Sequence, residues 1–176
     1  MALRNIVLEG DPILTKKCRD VTVFDEKLHQ LLDDMDETMR DAQGVGLAAP
    51  QVGILKRVVV VDIGDGLIEL INPVIIDSKG EQKSTEGCLS FPGKTAVTIR
   101  PQFVTVKAQD RNGKEFEIKG HDLKAKAFCH EIDHLDGISF LERAVYISDG
   151  KLGSIKDGVK SIAQRIENKI KDRFKK

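Results

Sequence analysis

The spacing of hydrophobic residues along this chain changes between helical and strand-like, which predicts a fold of the α+β class. After Asp25, a suitable helix N-cap, apolar residues recur every three or four positions up to Gly44, where a C-terminal glycine is expected. The recurring residues of this amphipathic N-terminal helix are Leu28, Leu31, Leu32, Met35 and Met39. Their spacing is typical of a helix face packed into a core.

Two later stretches also have helical spacing. The first begins at Gly120 or Asp122 and ends near Gly137, and one of its faces carries Leu123, Ala127, His130 and His134. We expect this face to point inward. The second stretch covers about residues 153–174, and its apolar positions are Ile155, Val159, Ile162, Ile166 and Ile170.

Short apolar segments between the first two helices predict β-strands. They lie at residues 57–63, 67–71, 74–77, 97–100, 103–109 and 116–119. Glycine-containing turns such as Gly64-Asp65-Gly66 separate several of them, and short hairpins of this kind join antiparallel strands. We therefore predict antiparallel sheets around the second helix, in a single domain covering residues 1–176.

Composition is that of an ordinary globular protein, with 40% hydrophobic and 32% charged residues. No apolar run approaches the length of a membrane span, and residues 1–10 lack the basic start and apolar core of a signal peptide. The three cysteines include no C-x-x-C pair, which favours a reducing compartment. We predict a cytoplasmic protein with no membrane partner.

Charge is balanced overall but unevenly distributed along the chain. Residues 151–176 contain nine basic and three acidic residues, a net charge of +6, so residues 1–150 carry −6. A basic segment on an acidic body indicates an anionic partner, and a solvated helix face explains the same pattern equally well.

The segment His130-Glu131-Ile132-Asp133-His134 is the clearest candidate for chemistry. At about 3.6 residues per turn, His130 and His134 lie one above the other, where both reach a single metal ion. Glu131 lies about 100° further round the helix, close to the ion without being a ligand. A hydrolytic metal centre takes three protein ligands and one open position, so a third donor must come from elsewhere.

Several residues are candidates for the third ligand. The pattern H-E-x-x-H-x-x-G-x-x-H of one metallopeptidase class has Phe140 in place of its last histidine. The downstream acids Glu142, Asp149 and Asp157 are weak candidates, since the last two lie in turn-like contexts. Cys88, in the segment Glu86-Gly87-Cys88-Leu89-Ser90, offers a thiolate that binds Zn²⁺ or Fe²⁺ strongly, and we take it as the third ligand.

A run of small residues, Gly44-Val45-Gly46-Leu47-Ala48-Ala49-Pro50-Gln51, follows the first helix. It matches a weak dinucleotide-binding pattern, but it follows a helix instead of a strand and contains Pro50, so we reject nucleotide binding. Small residues instead indicate that the backbone passes close to another group. The Gln51 amide is suited to donate to an oxyanion, and the alternative is a tight connection with an exposed glutamine.

Taken in order, the motifs G-V-G-L-A-A-P-Q, E-G-C-L-S and H-E-I-D-H resemble those of peptide deformylase. The resemblance implies an enzyme that removes the formyl group from the N-terminal formylmethionine of newly made polypeptides and releases formate. It also implies an α+β fold with antiparallel sheets around the metal helix. One divalent metal ion is expected, usually Fe²⁺, with Zn²⁺ or Ni²⁺ able to substitute.

The resemblance also implies roles for individual residues. Glu131 is expected to act as base and then acid, and the Gln51 amide and Leu89 N–H to stabilise the developing oxyanion. Val45 and Gly46 match the stretch that lines the substrate groove in the family. Many members have glutamine where this chain has Cys129, which we interpret as a small buried thiol that affects pocket shape.

Three charged residues near these motifs are candidates for orienting the ligands. Glu86, Arg100 and Asp133 are expected to form a charged second shell around the metal ligands. An ordinary surface ion pair is the alternative.

Two other functions remain open at this point. One is a metallopeptidase of the H-E-x-x-H type, and the other is a non-catalytic zinc protein whose basic helix contacts RNA. The family resemblance makes ribosomal RNA a reasonable partner of the helix at about 153–174. No DNA partner is expected.

Overall fold

The structure is a computed structural model that describes residues 2–148. The elements in chain order are a 3-10 helix (Pro12–Thr15), α1 (Glu26–Asp41), β1 (Gly46–Ala48), a second 3-10 helix (Ala49–Val52), β2 (Val58–Val61), β3 (Ile68–Lys79), β4 (Gln82–Gly87), β5 (Thr95–Arg100), β6 (Phe103–Gln109), β7 (Glu115–His121), α2 (Asp122–Leu135), α3 (Phe140–Arg143) and β8 (Ala144–Ser148). Within the described residues, no helix is both long and apolar enough for a membrane span. The helix predicted at about 153–174 lies outside this range.

The strands form two antiparallel sheets, as the hairpin pattern predicts. Five strands pair in the order β1-β2-β3-β6-β7, and three pair in the order β4-β5-β8. β1 and β4 each lie at an edge of their sheet. The α+β class with antiparallel sheets is confirmed.

Strand β2 explains how the two long helices are placed. All four of its valines are fully buried. Because successive side chains of a strand point to opposite faces, both faces of the sheet must be covered at this strand. Val59 and Val61 belong to one apolar core with residues of α2, whereas Val58 and Val60 belong to another with residues of α1. The five-stranded sheet therefore separates the helices, and α2 packs on one face and α1 on the other.

Helix α1 begins as predicted and ends slightly earlier. The Asp25 carboxylate accepts a hydrogen bond from the Leu28 N–H at 3.1 Å, the capping contact expected of an N-cap aspartate. The left-handed residue after the helix is Gln43, with φ 54°, and not Gly44 as predicted. The Gly44 N–H instead reaches back to the Met39 carbonyl at 2.9 Å, which completes a Schellman-type end.

The structure corrects the strand predictions at one merged strand and three missed strands. The segments predicted at 67–71 and 74–77 form the single long strand β3, whose pairing with β6 shifts register between Ile71 and Val74. Asn72, with φ 53°, lies at this irregularity. Its side-chain amide accepts from the Val21 N–H and donates to the Val21 carbonyl. Strands β1 and β4 were not predicted, because their few small or polar residues give little hydrophobic signal. Strand β8, Ala-Val-Tyr-Ile-Ser, was also not predicted, although its residues favour a strand.

Helix α2 begins at Asp122, one of the two predicted positions, and its inward face carries Ala127, His130 and His134. Leu123 is the exception, since it is 43% exposed at the first turn. The helix ends at Leu135, and Gly137 follows it as the terminating glycine that was predicted: this residue has φ 71°, and its N–H reaches the His134 carbonyl at 3.2 Å.

Gly137 is also confined by the N-terminal segment. A Cβ atom at this position would lie 2.6 Å from the Thr15 carbonyl carbon, well inside van der Waals contact. Gly93 has nearly the same backbone angle, φ 73°, but a Cβ there would meet no atom within 4 Å. An alanine at Gly93 would therefore show the unfolding free energy lost to the left-handed backbone alone, and an alanine at Gly137 would add the loss from the contact with Thr15.

We predict that Gly137→Ala destabilises the fold more than Gly93→Ala. Left-handed backbone alone costs about 1–2 kcal/mol for a residue with a side chain, and forcing the backbone of residues 15 and 137 apart adds roughly 1–3 kcal/mol. Urea unfolding of both variants measures the difference. Equal losses of unfolding free energy would show that the contact with Thr15 has no energetic weight.

Candidate active site

Helix α2 and the loop after β4 bring one cysteine and two histidines together. The ligand atoms of Cys88, His130 and His134 all lie within 4.8 Å of one another. Cys88 Sγ is 3.2 Å from His134 Nε2, and the two imidazole rings lie 5.0 Å apart between centroids. Ligands bound tetrahedrally at ~2.0–2.3 Å from one ion are roughly 3.5 Å apart, so the donor set suits a single metal ion.

Among the described residues, the other acid considered as a third ligand is not part of this donor group. Glu142 is exposed and accepts from the Ser139 N–H at 2.8 Å, an N-terminal cap of α3. Asp149 and Asp157 are outside the described residues. Phe140, in place of the histidine of the longer pattern, packs in the core with its ring 5.7 Å from that of His130. The Phe140 ring therefore packs against the imidazole of His130.

A buried carboxylate holds His130 by its other nitrogen. His130 Nδ1 lies 2.7 Å from Glu86 Oε2, which leaves Nε2 facing Cys88 and His134. Glu86 in turn accepts from the Arg100 Nε at 2.8 Å. Burial opposes ionisation of Glu86, but the hydrogen bonds from His130 and Arg100 hold its pKa well below the usual range.

The charged network continues to Asp133, which follows His130 by three residues on α2. Arg100 also donates to Asp133, and Glu86, Arg100 and Asp133 are each at most 9% exposed. The alternative of a surface ion pair therefore does not describe these residues. Arg143 closes the network, since its Nη2 and Nε donate to Asp133 at 2.8 and 3.1 Å. Sequence reasoning missed Arg143, which no motif or spacing marks.

The two histidines have opposite protonation tendencies. Burial lowers the pKa of His134 to about 3, and the nearby cations His130 and Arg100 add to this effect. Burial also favours neutral His130, but hydrogen bonds with Cys88 and Glu86 raise its pKa to about 10. Metal ligands must be unprotonated, so binding of an ion at His130 would release a proton.

Glu131 is a buried carboxylate with an oxygen that no hydrogen bond satisfies in the described residues. It is 5% exposed, and its Oε2 has no hydrogen-bond partner in the described part of the chain. Burial raises its pKa to about 7, and the Glu86 charge acts in the same direction. Gly46 makes room for it, because a Cβ atom there would lie 2.8 Å from Glu131 Cγ. The prediction that backbone passes close to another group at this run is confirmed.

Gln51 is buried beside Cys88, and hydrogen bonds fix its side-chain amide. It is 1% exposed, so the alternative of an exposed glutamine is wrong. Its Oε1 accepts from the Ala48 N–H at 2.9 Å, which orients the amide so that Nε2 lies 3.3 Å from Cys88 Sγ and 3.2 Å from Ser90 Oγ. The neighbouring Leu89 N–H makes no hydrogen bond within residues 2–148.

A cavity of about 410 Å³ opens beside these groups. Its walls include Val45 and Gly46 at the edge strand β1, and Thr85 to Leu89 at and beyond the edge strand β4. Leu123, exposed at the start of α2, also lines it. Two sheet edges therefore face one cavity that ends at His130 and Glu131.

Cys129 does not belong to this cavity. It is 5% exposed, packs in the core between α2 and the five-stranded sheet, and is absent from the cavity wall. Burial raises the pKa of its thiol to about 11. The interpretation of a small buried thiol is confirmed.

Comparison with known proteins places the chain in one family. Residues 3–149 match the family model described as polypeptide deformylase. A peptide deformylase of Clostridium botulinum is 57% identical over 143 residues, which is 81% of this chain and 97% of the relative. One of Agathobacter rectalis is 55% identical over 143 residues, 81% of this chain and 90% of the relative.

The fold agrees with this match. A crystal structure of peptide deformylase from Thermotoga maritima superposes with a TM-score of 0.80 at 40% identity, covering 82% of this chain and 99% of that one. These likenesses favour neither a peptidase of internal bonds nor a non-catalytic zinc protein. By sequence and by fold, the chain belongs to the peptide deformylase family of metal-dependent enzymes, which remove the N-formyl group from newly made polypeptides.

Proposed function

We propose that Cys88, His130 and His134 hold the divalent metal ion of this enzyme. The observation that carries the proposal is the convergence of their three donor atoms within 4.8 Å, with Cys88 and His130 on the wall of the cavity. Three donors, and no fourth acidic or thiol donor in the group among residues 2–148, leave room for water or substrate. A divalent ion held there would supply a Lewis acid and lower the pKa of an attacking water.

Glu131 is proposed as the group that moves the proton. Its carboxylate lies on the cavity wall next to the metal ligand His130. A pKa near the operating pH suits a group that first accepts and then donates a proton, and burial of Glu131 acts in that direction. It would take the proton of the attacking water and pass it to the leaving amine nitrogen.

The Gln51 amide and the Leu89 N–H are proposed to stabilise charge on the formyl oxygen. The Gln51 Nε2 lies beside Cys88, and its orientation is fixed by the bond from the Ala48 N–H to Oε1. Because donors held in place before the reaction need no reorganisation, they act strongly on a developing oxyanion. Both residues line the cavity.

The substrate peptide is proposed to bind as an added strand between β1 and β4. Both are edge strands on the cavity, and an extended peptide uses the free backbone groups of such edges. Val45, 46% exposed, and Gly46 lie on the β1 side. The formyl carbon carries only hydrogen, so a narrow end of this groove at Glu131 would admit it.

Glu86, Arg100 and Asp133 are proposed to orient the ligands. Hydrogen bonding of the second ring nitrogen fixes the tautomer and direction of a metal-bound histidine, and Glu86 makes that contact with His130. Arg100 donates to Glu86 and is itself held by Asp133, which accepts from its guanidinium.

Three finer points remain part of the proposal. Fe²⁺ is the expected native ion, with Zn²⁺ or Ni²⁺ able to substitute, since thiolate and imidazole suit all three. A cytoplasmic location is supported by the three cysteines, all of which are free. Ribosome contact through the basic helix at about 153–174 stays a prediction, because that helix lies outside the described residues, as does the C-terminal part of the predicted single domain.

We predict that Glu131→Ala keeps the metal and loses about 10²–10⁴-fold in turnover, the usual contribution of a positioned acid–base group. Formate release from formyl-Met-Ala and metal content per chain are measured together. Glu131→Gln serves as the control that keeps the side-chain shape. Near-normal turnover in either variant would remove Glu131 from the mechanism.

We expect Glu86→Gln to weaken metal binding by about 10–100-fold, because loss of such a hydrogen-bonded charge leaves His130 poorly oriented. Competition with a chelator measures the affinity. Glu142→Gln is the matched control, an acid of the cap of α3 that should leave affinity unchanged. If the two variants hold metal equally well, Glu86 does not orient the ligand.

Metal identity is tested by purification without oxygen. We expect iron to be recovered, activity to fall on exposure to air, and activity to persist in air after exchange for nickel, which is less readily oxidised. Metal analysis and formate release at each stage give the readout. Recovery of zinc together with activity that is stable in air would contradict the iron assignment.

A further inference from the structure

The cavity mouth carries one cation without a carboxylate partner. Lys126 lines the cavity from α2, and its Nζ donates to the Thr85 carbonyl of β4 at 3.3 Å. No carboxylate lies within ion-pair distance of it in the described chain, as the ion pairs between residues 4 and 143 show.

A second lysine on the cavity wall is neutralised. Lys94 Nζ lies 2.7 Å from Glu9 Oε1, so its charge is already paired. The acidic side chains on the wall are Glu86 and Glu131, at 4% and 5% exposure, and neither reaches solvent at the mouth. The accessible charge of the groove therefore comes from Lys126.

The position of Lys126 relates it to the path of a bound peptide. It precedes His130 by four residues on α2, one turn or about 6 Å. Its partner Thr85 precedes Cys88 by three residues on β4, about 10 Å along the strand. An extended peptide advances roughly 3.3 Å per residue. A peptide whose formyl group lies between Cys88 and His130 would pass Lys126 at its second or third residue.

We propose that Lys126 makes this enzyme favour formylated peptides with an acidic side chain at the second or third residue over peptides with a basic one there. The proposal rests on the proposed groove along β4. An incoming carboxylate would take the Lys126 ammonium as an ion-pair partner, whereas an incoming ammonium would be repelled by it. Successive side chains of a strand point to opposite faces, so we expect the effect at one of the two positions only.

The experiment compares peptides of equal length with amidated C-termini. The first pair is formyl-Met-Glu-Ala and formyl-Met-Lys-Ala, and the second is formyl-Met-Ala-Glu and formyl-Met-Ala-Lys. We expect kcat/KM to favour the glutamate peptide about two- to fivefold in one pair, the range for a partly exposed charge contact. Raising the salt concentration should reduce this ratio.

Variants of the two lysines assign the effect. In Lys126→Gln the ratio should fall to about one, and in Lys126→Glu it should invert. Lys94→Gln combined with Glu9→Gln is the matched control, and it should keep the ratio of the parent enzyme because it removes a paired charge without changing the net charge beside the cavity. Each ratio compares two peptides on one preparation, so a general change in rate cancels.

Two results would overturn the proposal. One is a ratio near one for both peptide pairs on the parent enzyme, and the other is a ratio that survives in Lys126→Gln. Turnover of the neutral peptide formyl-Met-Ala-Ala amide is measured alongside. Turnover of that peptide with a flat charge ratio would refute the role of Lys126 and leave the proposed site standing.

Discussion

The bonds of the Glu86 carboxylate hold the two halves of the site together. Glu86 belongs to the three-stranded sheet, whereas His130 belongs to the helix packed on the other sheet. Its oxygens accept from Thr98, Arg100 and His130, so a buried charge is compensated on every side. Removing one partner from such a buried network typically costs about 3–5 kcal/mol. This constraint fixes the end of β4 relative to α2, and with it the position of Cys88.

The two carboxylates on the cavity wall show how hydrogen bonds from charged partners change the pKa of a buried group. Glu86 and Glu131 are almost equally buried, at 4% and 5% exposure. Hydrogen bonds from Arg100 and His130 lower the pKa of Glu86, whereas burial without such partners raises that of Glu131 to about 7. Environments that separate two carboxylates in this way assign them different tasks. In the proposed site, Glu86 keeps its charge and orients His130, and Glu131 exchanges protons.

What could be predicted from sequence follows from how local each feature is. The pair His130 and His134 needs only helix geometry, and Asp25 and Gly137 cap their helices through contacts within a few residues. Cys88 could be reached only by elimination, because its distance from the helix is a property of the fold. Arg143 and the packing of Phe140 on His130 depend wholly on tertiary contacts, and no local pattern marks them.

The missed strands β1 and β4 have a physical reason in common with the proposed groove. A free strand edge that is long and apolar would pair with other chains, so exposed edges are kept short, small or charged. β1 is Gly-Leu-Ala and β4 is Gln-Lys-Ser-Thr-Glu-Gly, and neither has the alternating apolar pattern by which strands are recognised. The same composition leaves both edges open to a peptide. In the proposed groove, weak strand signal and the capacity to accept an added strand therefore follow from one constraint, the need to keep the edge free.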